Sequence, residues 1–198
     1  MTEGLLKADE ADAPSAFFLC PACKEGGKSK EDNDMAEDRL CILGVGNTIL
    51  TDEGFGVRAM EWLRDHYTWP DNVDFIDGGT QGRVLMTILL DYKRVVVLDI
   101  VRGQCEPGTV YLLENEDMRK SQSFHDSTHD VDFVDLLSTC DLMGGRPDAF
   151  VVGFEPYEFN ELSDKLTPEA QKALPGFCAK AAAEIRRRGW SDPVGPKE

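Results

Sequence analysis

Asp52, Glu53, Asp77, Asp99 and His129 are the side chains whose types and placement suit chemistry in this sequence. The four acids follow or interrupt apolar runs, and His129 immediately precedes a helical pattern that begins near Asp130. Two or three carboxylates and one imidazole converging on one rim are a donor set for a divalent transition metal. Asp99 is the most telling of them. It lies between Val95-Val96-Val97-Leu98 and Ile100-Val101, where a carboxylate carries a burial cost unless it reaches a partner, a metal or the rim of a sheet. The others have structural readings beside the functional one. Asp52 and Glu53 are first-turn acids favoured by a helix dipole, Asp77 before Gly78-Gly79 is a turn residue, and His129 falls in a capping segment with Ser127 and Thr128.

The elements that would carry these residues follow from apolar periodicity. Leu40 to Gly46 reads as a strand buried on both faces. Gly56, Ala59, Met60, Leu63 and Tyr67 repeat at helical spacing until Trp69-Pro70-Asp71-Asn72 stops them. Val73 to Ile76 is a second strand ending in Asp77-Gly78-Gly79-Thr80; Val84, Leu85, Ile88 and Leu89 mark a second helix; Arg94 to Val101 is a third strand. This β-α-β-α-β alternation predicts an α/β fold: a single three-layer domain with a mostly parallel twisted sheet and helices on both faces. After Pro107-Gly108 a short connection leads to Thr109–Leu113, expected to pair antiparallel with the preceding strand as one antiparallel edge pairing. A helix with Phe133, Leu136, Leu137 and Cys140 on one face and a strand from Ala149 to Phe154 come next. The last helix has Leu174, Phe177, Cys178, Ala181, Ala182 and Ile185 on one face, with Pro175 near its start and Gly189 beyond its end. In such a sheet the ligand crevice lies outside the carboxyl ends of the strands, where Asp52, Glu53, Asp77 and Asp99 fall.

Composition narrows the function. The chain has 198 residues and a formal net charge of −16. That charge repels a phosphate backbone, and Arg186-Arg187-Arg188 is its one basic run, so nucleic acid is not an expected partner. Apolar runs are too short to span a bilayer. Residues 1–38 hold ten acidic and four basic residues with no sustained periodicity and read as a flexible acidic extension, with the folded domain at residues 39–198. The apolar patch Phe17-Phe18-Leu19 lacks a basic region before it, so we expect no secretory signal and a cytoplasmic location. Six scattered cysteines suit a reducing compartment, with Cys41, Cys140 and Cys178 as packing groups.

Other motifs are weaker. Cys20-Pro21-Ala22-Cys23 has metal or redox spacing, and His125 with His129 has H-x3-H spacing, but more than 100 residues separate the pairs. Gly44-Val45-Gly46-Asn47 is a partial dinucleotide fingerprint; its third glycine position holds Ile49, and Asp52-Glu53 would face a pyrophosphate. Nucleotide binding is therefore not expected.

Taken together, Leu43-Gly44-Val45-Gly46-Asn47, Thr51-Asp52-Glu53-Gly54-Phe55-Gly56-Val57, Asp77-Gly78-Gly79-Thr80, Val97-Leu98-Asp99 and Ser127-Thr128-His129 resemble, in order and spacing, the hydrogenase maturation endopeptidases. The resemblance covers about residues 39 to 188 and continues through Val152-Gly153-Phe154-Glu155-Pro156 and Leu166-Thr167-Pro168. It implies a protease that removes a C-terminal extension from the precursor of a nickel-iron or nickel-iron-selenium hydrogenase large subunit once nickel is in place. By motif matching it implies that Glu53, Asp99 and His129 bind the metal, with nickel supplied by the precursor. Asp77 takes the position of a further acid important for processing, and Asp77 or Glu53 would handle protons during cleavage. We expect a monomer. The alternative from another class is a non-enzymatic nickel-binding chaperone for the same subunit. The front extension departs from the family pattern, in which the first strand lies close to the start.

Overall fold

The computed structural model of the chain describes residues 39–80, 82–114, 139–140, 142–145 and 147–196. Residues 1–38 with Cys20 and Cys23, and the segment carrying His129, lie outside the described residues, and so do the expectations placed on them.

The first apolar run of the folded domain becomes an inner strand of the sheet. β1 (Leu40–Val45) is buried along its whole length. It pairs in parallel with β2 (Val73–Gly79) on one side and β3 (Arg94–Ile100) on the other. β4 (Val110–Leu113) is antiparallel to β5 (Asp148–Phe154), which is itself parallel to β3. The strand order is β2-β1-β3-β5-β4. The chain thus runs from β1 outward to β2, then returns across β1 to β3, so the order reverses between β1 and β3. That reversal is where a doubly wound sheet opens a crevice at its carboxyl edge.

Helices α1 (Phe55–His66), α2 (Gly82–Asp91) and α3 (Pro168–Arg187) complete the layers. One core joins Leu63 of α1 and Phe177 and Ile185 of α3 to Leu40, Ile42, Val96, Leu98 and Phe150 of the sheet. On the opposite face Leu85 and Leu89 of α2 and Cys140 pack on Cys41, Leu43, Val95, Val97 and Val151. The α/β architecture with helices on both faces is therefore as expected, and so is one antiparallel pair at an edge.

The partner of that edge differs from the expectation. β4 pairs with β5, not with β3. β5 is buried from Ala149 to Phe154, whereas β4 is only partly buried, so the more apolar strand takes the inner place. The connection from β3 to β4 follows the end of β5, with Val101 N–H donating to Phe154 O at 2.9 Å and Gly108 N–H to Glu155 O at 2.8 Å. β2 also extends past Ile76, because Gly79 still pairs with Val45 after a register shift.

The last helix starts earlier than the sequence suggested. Thr167 caps it, accepting from Ala170 N–H at 3.2 Å, and Pro168 occupies its first turn. Pro175 is inside the helix and exposed, while Leu174, Phe177, Cys178, Ala181 and Ile185 are buried. Their packing outweighs the hydrogen bond that a proline cannot donate. Gly189, at φ +67°, ends the helix as expected, and Trp190 N–H closes back to Ile185 O at 3.2 Å. Arg186, Arg187 and Arg188 pair with Asp192, Glu184 and Glu114, so the basic run is matched by acids.

Cys41, Cys140 and Cys178 are buried free thiols. Burial first, and then the Asp74 carboxylate, pushes the Cys41 thiol up to about 12, which keeps it protonated and inert. Among the described residues no helix is long and apolar enough to cross a membrane.

One close approach fixes where α1 begins. A Cβ at Gly56 would fall inside the carbonyl oxygens of Val45 and Leu98, near the carboxyl ends of β1 and β3. The first turn of α1 therefore rests on the two strands that border the crevice. Gly56→Ala should lower stability by about 3 kcal/mol or more. Gly176→Ala, in α3 with nothing within 4 Å of its Cβ position, should raise it by about 0.5–1 kcal/mol. Urea unfolding of the two variants beside wild type checks both signs.

Candidate active site

The chain leaves β1 through Gly46, whose φ of +136° and close approach to the Glu53 carbonyl leave no room for a side chain. Asn47 then turns the backbone: its Oδ1 accepts from Ile49 N–H at 3.2 Å and its carbonyl from Leu50 N–H at 3.1 Å. A 3-10 helix, Thr51–Gly54, follows and leads directly into α1. Thr51 sits at φ +39°, a strained position for a β-branched residue. Two bonds hold it there: its N–H donates to Ser163 O at 3.0 Å and its hydroxyl to Glu161 O.

Asp52 and Glu53 are adjacent acids with different surroundings. Asp52 is fully buried and accepts four hydrogen bonds from the segment that follows β5. The donors are Tyr157 N–H at 3.1 Å, Glu158 N–H at 3.3 Å, Thr167 N–H at 2.8 Å and the Thr167 hydroxyl at 2.9 Å. Asp52 is therefore a structural anchor rather than a member of the metal set. Glu53 is 2% exposed. The residue after Gly54 pins the segment: Phe55 stacks on Phe154 at 3.8 Å and meets Phe177 edge-on at 5.0 Å. The 3-10 helix touches β3, so Glu53 lies at the carboxyl edge between β1 and β3.

Asp99 is the penultimate residue of β3, level with Gly153 of β5. It is half-buried and its Oδ1 accepts from Ile100 N–H at 2.8 Å. The burial cost that singled it out in the sequence is thus relieved at the rim of the sheet. Asp77 is exposed on the edge strand β2, and its Oδ1 accepts from Gly79 N–H at 2.9 Å, the turn role that its Gly-Gly context suggested. It faces a cavity of about 380 Å³ lined by Gly46, Asn47, Thr48, Asp77, Gly78, Gly79 and Thr80. A Gly46 N–H to Gly79 O bond of 3.0 Å ties the two walls together. The fold thus places Glu53 and Asp99 on elements that touch at the carboxyl edge of the sheet, with Asp77 on the edge strand beyond β1. His129 lies outside the described residues, and among those described no three His, Cys, Asp or Glu side chains close into a metal site.

Glu155 is a buried acid that the sequence pattern did not single out as a site residue. Its Oε2 accepts from Gly103 N–H at 2.8 Å, Cys105 N–H at 3.4 Å and the Tyr111 hydroxyl, shaping the loop that follows β3. Burial, then hydrogen bonds with Cys105 and Glu155, pushes the Tyr111 hydroxyl far above its usual range, so it stays a donor. The signal was available: Glu155 ends the apolar run of β5 as Asp99 nearly ends that of β3.

A family model described as hydrogenase maturation protease matches residues 57–184. The chain belongs to the hydrogenase maturation protease family. This protease is 33% identical over 161 residues to the hydrogenase expression/formation protein HupD of Rhizobium leguminosarum bv. viciae, spanning 80% of each chain. It is 33% identical over 153 residues to the hydrogenase 2 maturation protease of Escherichia coli (strain K12), spanning 76% of this chain and 93% of that one. Its structure is similar to that of the hydrogenase maturating endopeptidase HybD from E. coli, with a TM-score of 0.72 and 31% identity over 79% of this chain and 97% of that chain. The family resemblance, the fold and the enzymatic class expected from the sequence all agree with these likenesses.

In this protease the anchor at Asp52 is separable from chemistry by stability. Asp52→Ala leaves four donors without their acceptor, so it should cost about 3 kcal/mol or more, read from urea unfolding followed by circular dichroism.

Proposed function

We propose that this protease removes the C-terminal extension of a nickel-loaded hydrogenase large-subunit precursor, with the nickel as the recognition element. The observation that carries the reading is the seating of Glu53 and Asp99 on adjoining elements at the crevice between β1 and β3. Both belong to rigid parts of the fold, one pinned by Phe55 and the other within a strand. Carboxylates there, with the imidazole of His129, are borderline-to-hard donors suited to a divalent first-row ion. Three such groups leave coordination positions for ligands that the precursor brings. The nickel is then cargo of the substrate, and a precursor without it lacks the bridge to Glu53, Asp99 and His129.

Cleavage requires a proton to leave the attacking water and another to reach the departing amine. Asp77, exposed over the polar cavity, is placed to accept the first and return it to the amine. Glu53, beside the metal position, is the second carboxylate able to handle a proton. In this reading the protease acts as a monomer in the cytoplasm.

The test is intact-mass spectrometry of the precursor after incubation with the protease. Wild type should remove C-terminal mass from nickel-loaded precursor, while Glu53→Ala, Asp99→Ala and His129→Ala should leave it intact. Equal cleavage of nickel-free precursor would sink nickel recognition, and a stable complex with unchanged mass would favour the chaperone reading. Asp77→Asn should cut turnover at least about 100-fold with little loss of precursor binding; unchanged turnover removes Asp77 from proton transfer.

A further inference from the structure

The rim of the crevice carries a pair of exposed apolar side chains on an unusually well-tied support. Ile49 is 59% exposed and Leu162 is 78% exposed. They come from different segments, one after β1 and one after β5, joined by a parallel bridge between Leu50 and Ser163. Ser163 N–H donates to Ile49 O at 3.1 Å, Thr51 N–H donates to Ser163 O at 3.0 Å, and the Thr51 hydroxyl bonds Glu161 O. Asp52 fastens both ends of the same stretch, at Tyr157–Glu158 and at Thr167. Arg102 lies over the ring of Phe159 at 5.1 Å, adding a cation to this stretch, and it forms no ion pair among the described residues.

We propose that Ile49 and Leu162 form a docking surface for the folded body of the large-subunit precursor, beside the site that cuts its tail. This rests on the function proposed above, and adds where the partner's binding energy is collected. Ile49 directly follows Thr48, which lines the cavity that Asp77 faces, so a partner seated on the pair adjoins the candidate site. An endopeptidase restricted to one protein needs contacts away from the scissile bond, since those are what separate its substrate from other chain ends. A single exposed aliphatic residue is ordinary on any surface. Here the two stand on segments whose backbones are bridged at Leu50 and Ser163, and because that backbone is already ordered, binding costs little conformational entropy there. Exposed apolar side chains on an ordered frame are the kind of surface from which protein interfaces draw their central contacts. The net charge of −16 disfavours nucleic acid and anionic membranes as occupants.

The experiment measures affinity for immobilised nickel-loaded precursor and, separately, the precursor concentration that half-saturates cleavage. The variants are Ile49→Asp with Leu162→Asp, and Val194→Asp as an exposed apolar control far along the chain. The double variant should lose at least about tenfold in affinity, with a parallel rise in half-saturating concentration. Its maximal rate should stay within about twofold of wild type and its urea midpoint should not move. Val194→Asp should bind as wild type does. Equal affinity of the double variant and wild type overturns the docking surface. A wild-type dimer that the double variant dissolves assigns the pair to a second copy of this chain and overturns it as well. Wild type that binds the precursor without shortening it counts against the proposed reaction, while the affinity comparison still decides the docking surface.

Discussion

The first turn of α1 lies directly on the carbonyl ends of β1 and β3, and the position of the candidate site depends on that contact. It is possible because Gly44 and Gly56 present no side chains between helix and sheet, and Gly46 none beneath the Glu53 carbonyl. Phe55 then locks the turn by stacking on Phe154 and packing against Phe177, which ties α1 to β5 and α3. With helix and strands in van der Waals contact, Glu53, two positions before α1, is buried where the 3-10 helix meets β3. The carboxylate of Glu53 is therefore positioned by backbone packing, which is stiffer than any side-chain contact could make it.

The neighbouring acids at 52 and 53 show how one short turn divides labour. Asp52 is held by main-chain amides and a hydroxyl, donors that satisfy its oxygens without any cation. Glu155 plays a comparable part on the other flank, gathering amides of the loop after β3 and the Tyr111 hydroxyl. Two buried acids thus organise two loops, Asp52 the one that follows β5 and Glu155 the one that follows β3.

What the sequence made legible was the content of the sheet and the identity of the acids at its carboxyl edge. Apolar runs such as Leu40–Val45 and Val95–Leu98 have no other stable place than a sheet centre, and helical spacing identified Ala59, Met60 and Leu63 as a buried face. The pairing of β4 was not legible, because a short connection looks the same whether it turns to an adjacent strand or passes a third one. The start of α3 was hidden because Pro175 is a strong local breaker, and only the burial of Leu174 and Ala170 explains why the helix runs through it. Asp52 could not be separated from Glu53 by pattern, since its partners lie more than 100 residues away at Tyr157, Glu158 and Thr167.

Three of the four donors to Asp52 are main-chain amides. A backbone amide is present whatever side chain it carries, proline excepted, so the clasp does not read the sequence of the loop it holds. The stretch between Tyr157 and Leu166 can accumulate substitutions while its frame stays in register with the crevice. In evolutionary terms this separates the side chains of the loop from the frame that holds it beside the crevice. A duplicated gene could vary this segment by drift, and an engineer could transplant it between relatives, without retuning the acids beneath it.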